Sequence, residues 1–264
     1  MPTFPTPGPI TFSAHFAGGS LRITASDRED TTVDIRPADP SDLDHARSVR
    51  VEHDAGTVSV KAPDLRSLRR IPAVDVVVAL PSGSHVRADT VSADVSAAGP
   101  LCDVEISTAS GDVTLEHAAG LRVRTTSGDV RCDVTEGPAS VKTTSGAVRL
   151  GAVAGPAGLT TVSGEAEIGE AGGDVTAKSA SGRIRVHRIA GGQVSVNTAS
   201  GDVSVGVASG TATWLDVSSL SGKINSELTP FGQDDQPTED ENTVELGIRT
   251  VSGDISITRS EGTR

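Results

Sequence analysis

The most regularly spaced reactive side chains in this sequence are serines that are each followed by glycine. These Ser-Gly pairs begin at Ser110, Ser127, Ser145, Ser163, Ser181, Ser200, Ser221 and Ser252, and Ser92 begins a degenerate copy. A nucleophilic serine needs a base beside it. Because no histidine recurs at a fixed distance from these serines, we predict that they are not catalytic.

A column of hydroxyl side chains lies two residues before each serine. Its members are Thr90, Thr108, Thr125, Thr143, Thr161, Ser179, Thr198, Ser219 and Thr250. Threonine arrays on β-solenoids can bind ice when they face solvent. This column has the same strand parity as the apolar positions four and six residues before each serine, so it should face inward. We therefore predict a structural role, in which the hydroxyls bond backbone groups of the turns or one another along the stack.

An outward-facing column with many carboxylates lies two residues after each serine. Its members are Asp94, Asp112, Asp129, Ala147, Glu165, Arg183, Asp202, Lys223 and Asp254. Carboxylates stacked about 5 Å apart repel each other or recruit a cation, and Ca²⁺ needs about six or more oxygen ligands. Three members carry no carboxylate, and the calcium-binding nonapeptide pattern is absent. The column is therefore predicted to serve the turns.

The histidines and cysteines give no further sign of a metal or cofactor site. The six histidines (residues 15, 45, 53, 85, 117 and 187) share no repeat position, and Cys102 and Cys132 lie at different repeat positions. Stacking should therefore not bring the two cysteines together, and both are expected to be small buried side chains. We assign no catalytic, cofactor-binding or metal-ligating residue, and we do not expect a small-molecule ligand.

The spacing of the Ser-Gly pairs predicts the fold. Successive serines from Ser92 onward are 18, 17, 18, 18, 18, 19, 21 and 31 residues apart, which is typical of a repeat architecture. The chain has 29 Gly, one Trp, four Phe and no Tyr, so its core must be thin. These features predict an all-β protein, a parallel single-chain β-solenoid of about nine coils of 17–21 residues with an irregular β N-terminal cap.

Each coil is predicted to contain a strand before Ser-Gly, a turn, and a strand after it. Apolar residues recur six and four positions before the serine and three and five after it; around Ser127 they are Leu121, Val123, Val130 and Cys132. Since side chains alternate faces along a strand, these columns should form the core. In the turn, glycine is expected to adopt a positive φ and serine to bond its own backbone.

The same patterns divide the chain into three parts. Residues 1–9 are a flexible Pro-rich lead, residues 10–84 an irregular β cap region continuous with the solenoid, and residues 85–264 the regular solenoid. Residues 41–47 could form a short helical turn capped by Ser41. Residues 228–243 are rich in acid, Pro and Gln, and are predicted to be an exposed loop inserted between the last two coils.

Charge and hydropathy exclude several partners. The formal net charge is −12 and the isoelectric point about 4.9, which argues against binding to nucleic acid or an anionic membrane surface. No apolar run reaches the roughly 18 residues of a membrane helix, so no membrane insertion is expected. Residues 1–9 lack the features of a signal peptide, and a cytoplasmic location is the expectation.

Two motifs carry a resemblance to a known family. The run Val76-Val77-Val78-Ala79-Leu80-Pro81-Ser82-Gly83-Ser84 precedes repeats such as Ser127-Gly128-Asp129-Val130 and Ser252-Gly253-Asp254-Ile255. Over about residues 10–260 the chain resembles the bacterial family of putative adhesins with β-strand repeats, a domain of unknown function. The resemblance implies a β-solenoid and carries no catalytic residues.

Three functional hypotheses follow from a repeat array without a catalytic constellation. The first is a non-enzymatic scaffold or adhesin-like interaction protein that binds a protein partner or itself. The second is a carbohydrate-binding or carbohydrate-cleaving β-helix, against which the single Trp and the absence of Tyr argue. The third is a cytoplasmic filament formed by end-to-end stacking, which a capped first end would oppose.

Overall fold

Short strands joined by tight turns make up most of the chain, as the repeat predicts. A computed structural model describes residues 1–63, 72–228 and 243–260. It confirms an all-β, solenoid-like fold in which strands of successive coils pair in parallel. The chain divides into two compact units, Met1–Val134 and Thr135–Arg264. In the described ranges, no helix has the length and apolar character needed to cross a membrane.

The first unit is built around two long strands, β2 and β7. Its strands are β1 (Thr3–Pro5), β2 (Thr11–Ser26), β3 (Asp30–Pro37), β4 (Arg50–Asp54), β5 (Thr57–Lys61), β6 (Ala73–Pro81), β7 (His85–Ser107) and β8 (Val113–Arg124). A further strand, β9 (Val130–Thr135), begins in this unit and ends at the first residue of the second. β2 pairs in parallel with β7, and β7 with β8, so that successive coils stack.

The irregular cap combines parallel and antiparallel pairs. β5 and β6 both pair in parallel with β2. Antiparallel strands then cover them, with β4 on β5, β3 on β6 and β1 on β3. β4 and β5 are joined through Ala55 and Gly56, which both have positive φ, and a two-residue turn of this kind permits only antiparallel pairing.

Two details of the N-terminal region differ from the sequence-based expectations. Residues 1–9 were expected to be a flexible lead, but β1 pairs with β3, and the Thr6 and Thr31 hydroxyls lie 2.8 Å apart in a buried hydrogen bond. The predicted helical turn consists of a 3-10 helix (Pro40–Asp42) followed by α1 (Leu43–Ser48). Its cap is Asp39, whose carboxylate accepts a hydrogen bond from the Ser41 amide.

The second unit contains two parallel ladders. Its strands are β10 (Ala139–Lys142), β11 (Val148–Val153), β12 (Ala157–Thr160), β13 (Ala166–Ala171), β14 (Val175–Ser179), β15 (Ile184–Ile189), β16 (Gly192–Ser200), β17 (Val203–Ala208), β18 (Ala212–Ser221), β19 (Ile224–Ser226), β20 (Thr243–Ser252) and β21 (Ile255–Ser260). The strands before Ser-Gly stack in the order β10, β12, β14, β16, β20, β18. Those after it stack in the order β11, β13, β15, β17, β21, β19.

The last coil of the sequence therefore does not lie at the end of the stack. β20 pairs with β16 on one edge and with β18 on the other, so that Leu246 lies between Val194 and Leu215. β21 lies likewise between β17 and β19. Among the strands that the structure describes, those of the coil formed by β18 and β19, which precedes β20 in the sequence, are the terminal ones. The loop predicted at residues 228–243 lies outside the described residues except for Leu228 and Thr243.

The core consists of the predicted apolar columns. The side chains of Leu121, Val123, Val130 and Cys132 are each at most 4% exposed, and those of Leu246, Ile248, Ile255 and Ile257 at most 1%. The same columns lose their burial in β18 and β19. Strand parity thus determines which side chains face inward, whereas the spatial order of the coils determines which of them are covered.

Candidate interaction surface

The hydroxyl column faces inward, and five of its nine side chains bond the glycine amide of their own turn, as the sequence predicts. In the turn around Ser127, the Thr125 hydroxyl accepts a hydrogen bond of 3.0 Å from the Gly128 amide. Equivalent bonds of 2.7 to 3.2 Å recur in the coils of Ser110, Ser145, Ser163 and Ser181. Thr125 is only 8% exposed. The column is therefore no ice-binding lattice.

The Ser-Gly pair works differently from the expected turn. The φ of Gly128 is not positive; the residue must be glycine because a Cβ there would lie far inside van der Waals contact of the Gly111 carbonyl oxygen of the preceding coil. The Ser127 hydroxyl donates to the Ala109 carbonyl of that coil, at 3.3 Å, rather than to its own backbone. Both residues serve coil stacking.

The carboxylate column also stabilises the stack. The Asp94 carboxylate accepts a hydrogen bond of 3.0 Å from the Asp112 amide, and the Asp112 carboxylate one of 2.9 Å from the Asp129 amide. Where the column is interrupted by Arg183, the guanidinium lies 4.0 Å from the Glu165 carboxylate and 3.8 Å from that of Asp202. A cationic side chain thus already lies between these carboxylates. The aspartates bond the next coil, whereas the sequence predicts a role in their own turn.

One carboxyl group on the outer face has a shifted pKa. A hydrogen bond with His187 lowers the pKa of Glu167 below 4.5; burial opposes this shift, and the charges of His187, Arg185 and Arg149 add to it. These partners lie on the strands on either side of β13. The group is a cross-strand ion-pair network, in which the Arg185 guanidinium also lies 3.9 Å from the Glu165 carboxylate.

The histidines and cysteines lie apart with one exception. Cys102 and Cys132 form no disulfide, as expected from their repeat positions. His85, Cys102 and Asp103 do come together, with ligating atoms within 4.8 Å of one another. The repeat positions of the histidines alone do not reveal this cluster. The signal was present, because residues 85 and 103 are 18 residues apart, which is one period of the repeat.

The least covered apolar surface in the second unit is the coil formed by β18 and β19, residues 212–226, which we call the open coil. Leu215 and Ile224 occupy inward columns but are 40% and 48% exposed, and Trp214 and Leu220 are 74% and 85% exposed. Among the described residues of this unit, four of the six exposed large apolar side chains lie on this coil. Exposed apolar side chains concentrated on one coil make it a candidate interaction surface.

The open coil is held firmly to its neighbour on one side only. The Ser219 hydroxyl donates to the Gly253 carbonyl at 3.1 Å, and the Lys223 amide donates to the Asp254 carboxylate at 2.8 Å. In the described ranges, β18 pairs only with β20, and β19 only with β21. The other edge of each strand therefore presents backbone donors and acceptors that a further strand could bond.

A groove adjoins the open coil at the start of β18. It encloses about 950 Å³ and is lined by Trp214, Gln193, Asp174 and Glu245, together with the first residues of β16, β18 and β20. The Asp174 carboxylate already accepts a hydrogen bond from the Gln193 amide. The groove continues the exposed apolar surface past Trp214.

The fold and this surface together define a repeat protein with a parallel β-solenoid and an open apolar coil. The chain belongs to the Toastrack DUF4097 family, which matches residues 11–263. The resemblance recognised in the sequence is thereby confirmed. No curated protein matches the sequence.

Several solved structures are similar to this chain. A "putative lipid binding protein" from Parabacteroides distasonis has a TM-score of 0.52 and 14% identity, and the match covers 97% of this chain and 95% of that one. A "putative adhesin" from Bacteroides fragilis has a TM-score of 0.45 and 12% identity, with the same shares covered. Another "putative adhesin" from Parabacteroides distasonis has a TM-score of 0.38 and 10% identity, again covering 97% and 95%.

Proposed function

We propose that this chain is a non-enzymatic, adhesin-like interaction protein that associates through its open coil. The observation that carries the proposal is the exposure of inward-column side chains, above all Leu215 and Ile224, beside an unpaired strand edge. The equivalent side chains Leu246 and Ile255 of the adjacent coil are at most 1% exposed. A protein partner that adds one more coil would bury the open coil in the same way.

The occupant we infer is the open coil of a second copy of the chain. Each coil of the stack is covered by another of similar cross-section, so a like coil matches both the strand spacing and the apolar columns. The two copies would meet about a two-fold axis, with each strand edge pairing antiparallel to its equivalent.

Charge favours this arrangement. The whole chain carries a net charge of −12, but the open coil carries one acidic residue, Asp216, and one basic residue, Lys223. Asp216 is moreover paired with Arg249 at 3.1 Å. Two copies can therefore bring these neutral surfaces together with less repulsion than elsewhere on the molecule.

The cap argues for a closed pair over the filament. In the first unit, the strands β3 and β4 occupy the edges of β6 and β5 with antiparallel pairs, and β1 continues from β3. A like coil has no matching parallel edge there. The cytoplasmic location expected from the sequence stays a prediction, which cell fractionation would test.

The experiment uses Trp214 as a reporter, because it is the only Trp and the chain has no Tyr. With rising protein concentration, sedimentation velocity should show a monomer–dimer equilibrium, and the Trp214 emission should shift to shorter wavelength. The double variant Leu215→Lys/Ile224→Lys should remain monomeric. The control Val162→Lys removes an equally exposed apolar side chain (50%) from the middle of the second unit and should still dimerise.

Three outcomes would contradict the second copy as occupant. They are a wild-type monomer at every concentration, unchanged dimerisation of the double variant, or equal loss in Val162→Lys. Because one structural neighbour is described as a "putative lipid binding protein", the same emission measurement should also be made with lipid vesicles. A monomer whose Trp214 emission responds only to phosphatidylcholine vesicles would identify a lipid surface as the occupant.

A further inference from the structure

A cluster of three different metal-ligating side chains lies on β7 of the first unit, away from the open coil. His85 begins the strand, and Cys102 and Asp103 follow one coil later. One ligating atom from each lies within 4.8 Å of the other two. The cluster combines an imidazole, a thiol and a carboxylate. The proposed association through the open coil does not involve these three side chains.

The distances fit a shared metal ion better than a direct ion pair. His85 Nδ1 and Asp103 Oδ2 are 3.4 Å apart, which exceeds the length of a good charge-assisted hydrogen bond. In a tetrahedral zinc site with Zn–N and Zn–O bonds of about 2.0–2.1 Å, two such ligands lie about 3.4 Å apart. The observed separation is therefore that of two corners of one coordination tetrahedron.

The backbone around the cluster is held rigidly. The His85 amide donates to the Ile10 carbonyl at 2.8 Å, and the Cys102 amide to the Ser84 carbonyl at 3.0 Å. The fully buried Ser84 hydroxyl donates to the Pro81 carbonyl at 2.6 Å and accepts from the Ile10 amide at 3.0 Å. These bonds fix the two neighbouring coils against each other, so ligand side chains placed on them need little ordering on binding.

Space for the carboxylate depends on a glycine in the next coil. Asp103 pairs with Gly120 in the parallel ladder of β7 and β8. A Cβ at position 120 would collide with Asp103 Oδ1, so that any larger residue would push the carboxylate away. The glycine thus leaves the carboxylate where it can approach His85 and Cys102.

We propose that His85, Cys102 and Asp103 bind Zn²⁺ with three protein ligands and leave the fourth position open to solvent. Thiolate and imidazole favour zinc over Ca²⁺ and Mg²⁺, which prefer sets of oxygen ligands. The side chains of His85 and Asp103 are 47% and 75% exposed, so the ion has a direct path from solvent and the fourth position can accept a water molecule.

The test is titration of metal-free protein with ZnCl₂ by isothermal calorimetry, followed by Co²⁺ substitution. The wild type should bind one ion, and the Co²⁺ form should show a thiolate-to-cobalt charge-transfer band. Cys102→Ser and His85→Ala should each weaken binding by at least about tenfold, since loss of a mere outer-shell partner costs about 10- to 100-fold. The control Cys132→Ala removes the other cysteine, which is buried, and should bind as the wild type does.

A second measurement needs no substitution. Cys102 is half-buried whereas Cys132 is 1% exposed, so iodoacetamide should alkylate Cys102 in the native protein, and Zn²⁺ should protect it. The proposal is wrong if Zn²⁺ does not bind, if Cys102→Ser binds it as tightly as the wild type, or if Zn²⁺ leaves the alkylation rate unchanged. An equal effect of Ca²⁺ on alkylation would also contradict it.

Discussion

At the scale of single residues, the turn glycines are a direct test of how closely the coils stack. A Cβ at Gly164 would lie far inside contact of the Gly146 carbonyl oxygen and 3.0 Å from Thr161 Oγ1, so the coils would have to move apart. We expect Gly164→Ala to lower the free energy of unfolding by about 1–3 kcal/mol in urea titrations. Gly158→Ala is the matched control, because its Cβ would lie 3.8 Å from the nearest atom, the Ala139 carbonyl oxygen. Equal losses in both variants would show that close stacking is not the reason for glycine.

A pH-dependent contribution is expected from Glu167. Its pKa is lowered in the folded protein, first by the hydrogen bond with His187, so the unfolded state binds a proton more readily. The stabilisation is therefore fully present above about pH 4.5 and is lost as the pH falls through the folded pKa. Glu167→Gln should be less stable than the wild type by up to about 1 kcal/mol at pH 7, and the gap should close in acid.

The comparison for this prediction is Glu170→Gln. The Glu170 carboxylate lies 3.9 Å from the Arg188 guanidinium and is 64% exposed, so its removal should change the free energy of unfolding less. Urea titrations of both variants between neutral and acidic pH give the measurement. A Glu167→Gln difference that stays constant with pH would argue against the charge network as its cause.

At the scale of elements, the exchanged order of the last two coils predicts effects of very different size at two paired isoleucines. Ile224 and Ile255 are partners in the ladder of β19 and β21, but Ile255 is 1% exposed and Ile224 is 48% exposed. Ile255→Ala should cost about 2–5 kcal/mol of unfolding free energy. Ile224→Ala should cost about 0.5 kcal/mol or less in the monomer. Urea titration at low protein concentration tests this, and the reverse ranking would mean that the coils stack in sequence order.

The same elements show what the sequence can predict. Strand parity identified the inward columns, including Leu246 and Ile248, because a one-residue shift would expose the whole apolar set. It could not identify the order of the coils, because like columns pack equally well in several orders. Ser226, a polar residue in an inward column, is the sequence signal that its coil is the uncovered one.

The turns show a second limit of sequence reasoning. The sequence Ser-Gly-Asp predicts a local turn motif with Gly128 at positive φ, whereas its glycine, serine and aspartate all contact the neighbouring coil. A local turn and a stacking contact favour the same small residues. Residue types alone therefore do not distinguish a turn from a stacking contact. The repeat positions of histidine or of cysteine alone do not reveal the cluster of His85, Cys102 and Asp103, because it combines three residue types, although one period relates His85 to Asp103.

At the scale of the whole molecule, salt should weaken the electrostatic repulsion between two copies without weakening the proposed contact. Two copies that each carry −12 repel one another, whereas the open coil has no net charge. Raising the ionic strength from about 0.01 M to 0.15 M shortens the Debye length from about 30 Å to 8 Å. Dimerisation measured by sedimentation should therefore strengthen over this range. Weaker association in salt would indicate that ion pairs hold the copies together.

The position of β20 and β21 also has a consequence for how the protein is made. On the ribosome, β18 and β19 emerge before β20 and β21, at a time when β16 and β17 still have exposed edges. The earlier coil can dock on those edges, yet in the finished protein the later coil occupies that place. Completion of the second unit therefore requires either that the earlier coil waits or that it is displaced. Synthesis and folding of this unit cannot proceed strictly coil by coil.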